Sequence, residues 1–319
     1  MDLLGTILWP LKWVVELILV GFHQLLTFTG LDAAAGITWV LSIVGLVLVI
    51  RAALIPIFVK QIKSQRRMME VAPQLKKIQD KYKGKRDQLS REAMSRETME
   101  LYKKTGTNPL ASCLPLLIQM PIFFSLFSVL NAAQHSQKGV GPLDETLARQ
   151  FGEANLFGVA PLHQSIQGAL AEGGQEPVII IAVIMVVLMT ASQFITQLQI
   201  VSKNMSPEAK ASPTFKQQRI LLYILPLVFA FSGFAFPLGV MFYWLTSNIW
   251  TMIQQFIVIR NMPTPGSEAA KAREERLRRK GKLVEETTAA GDVTLVEKKA
   301  VQRTQPVSKN RSKKQAGKK

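Results

Sequence analysis

The chain has 319 residues, a formal net charge of +17 and 48% hydrophobic residues, with a mean hydropathy of +0.17 and an isoelectric point of about 10.1. A chain that is both basic and hydrophobic on average carries its charges and its apolar residues in separate segments, which is atypical of a soluble globular protein. The single cysteine, Cys113, excludes an intramolecular disulfide framework and a multi-cysteine metal site.

The first segment, residues 1–36, starts with an apolar stretch that has neither a basic n-region nor a small-residue cleavage site. We therefore expect no cleavable signal peptide. Four residues interrupt the apolar stretch: Pro10, Lys12, Glu16 and His23. Other residues recur at helical spacing: Trp9, Trp13, Leu17, Val20 and Gln24. This pattern favours an amphipathic helix in the outer membrane–water interface, with a sixth membrane span as the alternative.

Five later runs are apolar over about 20 residues, enough to cross a hydrocarbon core of about 30 Å. They cover residues 37–60, 109–132, 177–200, 219–236 and 238–259. The sequence therefore predicts an all-α polytopic membrane protein with a five-span core over residues 37–259.

Basic residues alternate in abundance between the segments that connect these spans. Segments 61–107, 201–219 and 260–319 hold 13, four and 17 Lys or Arg residues, whereas segments 1–36 and 133–176 hold one and two. Since Lys and Arg accumulate on the cytoplasmic side, the N-terminus is predicted outside and the C-terminus inside the cell. Residues 133–176 then form an outer loop.

The cytoplasmic segment 61–107 carries apolar residues every three or four positions on both sides of the break "KGKRD". This spacing predicts a helical hairpin. The pattern fits a solvated arm, and it also fits a docking site for nascent chains, the ribosome or a targeting receptor.

The tail, residues 260–319, contains 17 basic and seven acidic residues. Residues 267–282 are rich in alanine and charge and are predicted helical, whereas residues 304–319 have little to bury and are predicted disordered. The tail fits a solvated positive-inside anchor, a binder of ribosomal RNA, or a binder of anionic lipid. Its candidate contact residues are Arg276, Arg278, Arg279, Lys280, Lys313 and Lys314.

One charge, Arg51, lies inside a predicted span, 14 residues after Ile37 and nine before Lys60. At about 1.5 Å per residue these separations are roughly 21 Å and 13 Å. No predicted span interior contains Asp or Glu, so a hydrated cavity is favoured over a buried ion pair, with snorkelling of the arginine as the alternative. Candidate polar neighbours on other spans are Gln119, Asn131, Gln193, Gln197, Ser247, Asn248 and Gln254. A permanently protonated guanidinium is poorly suited to proton relay but attracts acidic or polar groups.

Four motifs in order resemble those of the YidC membrane protein insertases. They are Arg51 followed by Pro56, "QLKKIQDKYK", "LYKKTGTNPLASCLPLLIQMPIFFSLF" and "PLGVMFYWLTSNIWTMIQQ". The resemblance covers residues 39–259 and is to the Gram-positive or actinobacterial type, which has no large outer domain.

The resemblance implies an insertase and chaperone of the bacterial plasma membrane. Its five helices would enclose a hydrophilic groove that opens to the cytoplasm and to lipid, with Arg51, Gln119 and Asn248 as groove residues. A hydrophobic slide on the third and fifth spans would include Met185, Met189, Phe194, Phe242, Tyr243 and Trp244. The implied partners are nascent membrane proteins, the ribosome, the Sec translocon and the signal recognition particle receptor.

Two other functional classes compete with this interpretation. A small-solute transporter or channel would also place a charge at mid-depth, but it predicts inverted repeats, and the sequence has none. An enzyme is disfavoured because the sequence lacks HExxH, GxSxG and GxxxxGK[ST] motifs. We therefore predict no catalytic residues, no metal and no cofactor.

Overall fold

The structure is a computed structural model that describes residues 3–85, 87–107, 114–173, 175–207, 210, 224, 228, 231, 233–287 and 293–297. The helices are α1 (Leu3–Phe28), α2 (Gly36–Lys81), α3 (Gln88–Thr105), α4 (Leu114–Gln134), α5 (Glu145–Glu153), α6 (Ile166–Glu172), α7 (Glu176–Leu198), α8 (Leu238–Asn261) and α9 (Glu268–Arg279). The strands are β1 (Asn155–Leu156), β2 (Ala160–Pro161), β3 (Leu283–Thr287) and β4 (Val293–Glu297).

Four helical stretches among the described residues are long and apolar enough to cross a membrane: Gly5–Phe28, Gly36–Met68, Leu117–Gln134 and Glu176–Lys203. The last three coincide with predicted spans, and α8 occupies the predicted fifth span. Of the predicted fourth span, only residues 224, 228, 231 and 233–236 are described. The prediction of an all-α polytopic membrane protein is confirmed, whereas the number of spans stays a prediction.

Helix α1 packs against α2 and α4, and two polar side chains on its buried face bond to residues outside the helix. The Glu16 carboxylate, 1% exposed, accepts hydrogen bonds from the backbone N–H groups of Val140 and Gly141, in the segment after α4. Two helical turns further on, His23 donates from Nε2 to the carbonyl of Ala33 over 2.9 Å and stacks on Trp39 at the start of α2. Since α1 also satisfies the length for a span, its interfacial placement stays a prediction.

Helix α2 joins the first span to the first arm of the hairpin in one helix of 46 residues, about 69 Å long. The predicted break at "KGKRD" coincides with the turn after α2, where Gly84 has a φ of +86°. The second arm, α3, begins where the Asp87 side chain accepts a hydrogen bond from the N–H of Ser90. It ends at Gly106, which is in the left-handed region that glycine tolerates.

The predicted outer loop, 133–176, is folded rather than irregular. We call residues 143–172 the outer cap: it contains α5, the β1–β2 hairpin and α6. Phe151 of the cap packs edge-on against Trp39, and the backbone of Asn155 lies where a Cβ on Gly36 would be, at 2.5 Å. The backbone carbonyls of Leu162 and Gln164 accept hydrogen bonds from the start of α8. The cap therefore ties the N-terminal ends of α2 and α8 together.

Beyond residue 270 the chain forms a separate compact unit. The predicted helix at residues 267–282 is confirmed as α9. The antiparallel pairing of β3 with β4, from Leu283 opposite Glu297 to Thr287 opposite Val293, was not predicted. Residues 304–319, predicted disordered, lie outside the described residues.

Candidate functional site

Arg51 lies in α2 and donates a hydrogen bond through Nη2 to the hydroxyl of Ser247 in α8. The side chain is only partly buried, and its Cζ lies 5.9 Å from the ring centroid of Phe58, two turns further along α2. A guanidinium has five N–H donors, and a hydroxyl is a neutral partner. The charge of Arg51 is thus oriented by the protein but not neutralised by this contact.

A third helix extends the polar contacts. In α4, Nε2 of Gln119 donates to the hydroxyl of Tyr243 in α8 over 3.3 Å, and this hydroxyl also interacts with Ser247 and with the charge of Arg51. Polar side chains of α4, α8 and α2 therefore form one row between apolar helices. Polar groups in such a position are costly unless they meet one another, water or a ligand.

Asn248 follows Ser247 in α8 and carries a side-chain amide. Its Nδ2 atom is buried and has no hydrogen-bond partner among the described residues. An unsatisfied buried amide costs roughly 1–3 kcal/mol. Arg51 of α2 and Asn248 of α8 therefore each carry donors that would favour a hydrogen-bond acceptor.

Aromatic side chains border the polar row on its α4 side. Trp244 lies 5.9 Å from the ring of Phe123 and 5.4 Å from that of Phe236, and Phe123 also neighbours Tyr243 at 6.5 Å. Of the predicted slide residues on α8, Tyr243 is buried at 5% exposure, whereas Phe242 and Trp244 are half-buried. These rings pack between helices rather than projecting fully to the surface.

The predicted slide residues on α7 divide between two faces. Met185 and Met189 are 3% and 5% exposed and belong to the hydrophobic core. Their role in a slide stays a prediction. Phe194 is 46% exposed, as a surface position requires. The exposed face of α7 carries instead Ile180, Val183, Ile184, Val187, Leu188, Phe194, Ile195 and Leu198.

Charged partners for Arg51 are missing from the part of the chain that the structure describes. The two ion pairs found there both lie in the hairpin, between Arg66 and Glu70 and between Lys81 and Glu97. Within the same residues, no three His, Cys, Asp or Glu side chains converge as metal ligands would. The site is therefore cationic and polar, with the hydroxyls of Ser247 and Tyr243 and the amide of Gln119 as its other functional groups.

The tail residues proposed for RNA or lipid contact are only partly within the described chain. Arg278, Arg279 and Lys280 are exposed at the end of α9, where cations also favour the helix dipole. Arg276 is half-buried and donates through Nε to the carbonyl of Ala272. Lys313 and Lys314 lie outside the described residues.

Comparison with known proteins places this arrangement in a family. The family model described as "60Kd inner membrane protein" matches residues 30–265. A relative from Tropheryma whipplei (strain Twist), described as "Membrane protein insertase YidC", is 46% identical over 317 residues, covering 98% of this chain and 97% of its own length. The chain belongs to the YidC family. The predicted resemblance is thereby confirmed.

Two further relatives carry the same description. The YidC protein of Streptomyces avermitilis is 45% identical over 275 residues, which cover 85% of this chain and 61% of that protein. The YidC protein of Bifidobacterium longum is 38% identical over 326 residues, covering 97% of this chain and 96% of its own length. These YidC relatives are described as insertases, which removes the support for the transporter or channel alternative.

Of the two side chains that contact Arg51, the sequence analysis included Ser247 among its candidates and missed Phe58. Ser247 was one of seven candidate neighbours and was not singled out, because helical spacing alone does not say which faces of two distant helices meet. Phe58 was missed, although its separation of seven residues from Arg51 is the spacing of two helical turns.

Proposed function

We propose that this protein is a membrane protein insertase. It moves hydrophobic segments of newly made membrane proteins from the cytoplasm into the lipid bilayer, with Arg51 as the cation that receives their polar ends. The observation that carries this proposal is the contact of Arg51 with Ser247, because the hydroxyl orients the guanidinium and leaves its charge available.

The energetics of insertion explain why such a site needs no nucleotide. Each apolar side chain that leaves water gains about 1.5–3 kcal/mol, so a complete span gains far more than it needs. The obstacle is the polar flank, since an unpaired polar group costs several kcal/mol in hydrocarbon. A row of polar groups within the protein shortens the apolar path that this flank crosses.

The partner of Arg51 in this mechanism is temporary. Acidic and polar groups of a substrate exchange with the Ser247 hydroxyl and with water at the guanidinium. Asn248 of α8, whose Nδ2 donor has no partner among the described residues, adds a second donor. Such exchangeable hydrogen bonds hold a polar flank briefly and then release it. An internal carboxylate would instead pair permanently with Arg51 and keep the substrate from the guanidinium.

The membrane orientation follows from charge. We propose that the hairpin of α2 and α3 and the tail are cytoplasmic, that the outer cap faces out, and that α1 lies in the outer interface. The distribution of 13 basic residues in segment 61–107 against two in segment 133–176 supports this orientation. The site then receives substrates from the cytoplasm of the bacterium.

The ribosome, the Sec translocon, the signal recognition particle receptor and anionic lipids are proposed as partners of the cytoplasmic parts. Exposed cations at the end of α9, Arg278, Arg279 and Lys280, support a contact with phosphate. To test it, ribosome co-sedimentation is measured at two salt concentrations with and without Arg278→Gln and Arg279→Gln. The two substitutions are expected to reduce the salt dependence of binding, since each lost phosphate contact lowers the slope of log K against log salt by about 0.7–0.9. An unchanged slope would argue against ribosomal contact at α9.

The experiment that tests the proposed function replaces Arg51. With Arg51→Ala, insertion of a substrate with a short acidic flank into proteoliposomes is expected to fall at least about tenfold, the equivalent of one charged hydrogen bond of about 1.5–3 kcal/mol. Arg51→Lys should retain part of the activity because it keeps the charge. Arg91→Ala, which removes an exposed hairpin cation in α3, is the matched control and is expected to leave the rate unchanged.

A photocrosslinking residue at position 51 or 244 reports whether nascent chains pass the site. Crosslinks from both positions to a stalled substrate are expected. If Arg51→Glu inserted every substrate at the normal rate, the role assigned to Arg51 would be wrong.

A further inference from the structure

An apolar crevice separates α2 from α8 on the hairpin side of Arg51. Its volume is about 290 Å³, and its walls are formed mainly by Ile55, Val59 and Ile62 of α2 and by Trp250, Ile253 and Ile257 of α8. Ile55, Ile253 and Ile257 are 42%, 52% and 51% exposed. The crevice is therefore open toward the surroundings of the two helices and is not an internal cavity.

The polar groups in the crevice wall partly satisfy each other. The indole Nε1 of Trp250 donates to Oε1 of Gln254 over 2.9 Å, one turn further along the same helix. This bond satisfies the indole donor of the wall. What the crevice offers to an occupant is consequently almost entirely hydrocarbon.

The depth of the crevice is set by its distance from Arg51 along α2. Ile55 and Ile62 lie four and 11 residues beyond Arg51, about 6 Å and 16 Å along the helix axis. The predicted inner end of this span is residue 60. The crevice thus runs from the inner half of the hydrocarbon layer to the headgroup level, which is the level of one leaflet's acyl chains.

Cations lie at the headgroup end of the crevice. Lys63 directly follows Ile62 and is exposed. Arg66 lies one turn further along the face of α2 that carries Ile62, and its Nε is 3.4 Å from the Glu70 carboxylate. With one acidic and two basic side chains, this end keeps a net positive charge.

From this combination of an apolar slot and a cationic mouth we infer that the crevice binds one anionic phospholipid of the inner leaflet. Its acyl chain lies between Ile55 and Ile257, and its phosphate lies near Lys63 and Arg66. The inference rests on the proposed orientation of the insertase, which makes the hairpin side the inner leaflet. The lipid would fill the seam between α2 and α8 directly below the Arg51–Ser247 contact.

The test uses the purified full-length protein in lipid nanodiscs, without substrate. Fluorescence quenching by phosphatidylglycerol with brominated acyl chains is compared with quenching by brominated phosphatidylcholine at the same fraction. Subtracting the signal of Trp250→Phe isolates the contribution of Trp250. The brominated anionic lipid is expected to quench Trp250 at a concentration about fivefold lower for each participating cation.

Variants then separate a specific site from ordinary boundary lipid. Lys63→Gln and Arg66→Gln should each lower the preference for the anionic lipid, whereas Lys83→Gln, in the exposed turn of the hairpin, should not. Ile253→Phe, which fills the slot, should weaken quenching by both lipids.

Equal quenching of Trp250 by both brominated lipids would overturn the inference and leave only boundary lipid at this seam. Absence of quenching would also overturn it, because the crevice would then be covered by protein. Since no substrate is present, either result is independent of whether the protein inserts membrane proteins.

Discussion

Glu16 of α1 accepts a hydrogen bond of 2.7 Å from the backbone N–H of Gly141, in the segment that follows α4. The same carboxylate accepts a second bond from Val140 over 2.8 Å. The approach is so close that a Cβ on Gly139 would lie 2.3 Å from the Glu16 carboxyl group. A buried carboxylate, which is costly in an apolar helix, is thereby stabilised by two backbone donors.

Substitution of Glu16 should detach α1 from the outer end of α4. Glu16→Gln is expected to lower the free energy of unfolding by about 1.5–3 kcal/mol. The two hydrogen bonds lose their charged acceptor, and the amide NH2 group of glutamine cannot accept a hydrogen bond from a backbone N–H. The measurement is the thermal unfolding midpoint in detergent. Glu153→Gln, an exposed carboxylate in the outer cap, is the control and should leave the midpoint unchanged. If both variants unfolded at the wild-type temperature, Glu16 would not hold α1 in place.

Removal of the Ser247 hydroxyl should slow, but not abolish, the insertion that depends on Arg51. Ser247→Ala is expected to slow insertion of a substrate with an acidic flank about threefold, the equivalent of about 0.6 kcal/mol for a hydrogen bond between helices in a membrane. The rate is measured in proteoliposomes, as for Arg51→Ala. Thr246→Ala is the matched control, because the Thr246 hydroxyl donates only to the carbonyl of Phe242 in its own helix. An equal loss in both variants would mean that α8 is merely disturbed.

The cytoplasmic hairpin is expected to loosen in acid. The hydrogen bond from Lys81, followed by that from Tyr82, holds the pKa of Glu97 below its ordinary value of 4.5. The backbone N–H of Ser90 lowers the pKa of Asp87 below 3.8. A carboxylate with a lowered pKa contributes stability that is present above its ordinary pKa and is lost as the pH falls through the lowered value.

The contact with Glu97 in turn raises the pKa of Lys81 above 10.5. Its contribution is complete below pH 10.5 and is lost as the pH rises through the raised pKa. The contact between the two arms is therefore tightest between about pH 4.5 and pH 10.5, as measured by the distance between spin labels on α2 and α3. Glu97→Gln should remove most of the change in this distance at acid pH, whereas Glu92→Gln should not. High salt should flatten the profile, since all three groups are exposed.

At the tip of the outer cap, Phe157 has a left-handed backbone conformation that asparagine adopts more readily than phenylalanine. Phe157 and Gly158 both have positive φ, +53° and +75°, and Val159 donates from its N–H to the carbonyl of Leu156, which defines a type I′ turn. Asparagine is favoured at the first of these two positions, and Phe157 is 77% exposed. Phe157→Asn is therefore expected to stabilise the cap by about 1 kcal/mol, seen as a higher unfolding midpoint.

Val159→Asn serves as the comparison for Phe157→Asn, because Val159 is also exposed but is not in the left-handed region. It should gain nothing from asparagine. A lower midpoint for Phe157→Asn would mean that the phenyl ring makes a stabilising contact that outweighs the backbone preference.

Several features of this protein could be predicted from local sequence because they depend on composition and helical period. The length of an apolar run decides whether it crosses a membrane, and the run before Lys60 shows Arg51 as an isolated charge without knowledge of any neighbour. The hairpin also depends on local sequence, because its break at Gly84 and its helix cap at Asp87 are set by residues within one turn.

The tertiary structure decided which faces of the helices meet. Hydropathy does not distinguish a methionine that packs against another helix from one that faces lipid, since both surroundings are apolar, so only the structure showed that Met185 and Met189 are buried in the core. The outer cap escaped prediction for a related reason. Its short elements are held by backbone bonds to residues far along the chain, such as that from Gly239 to Leu162. The sequence by itself showed a charge inside an apolar run with no acidic residue in any predicted span, and only the packing of α2 against α8 determined that the Ser247 hydroxyl receives it.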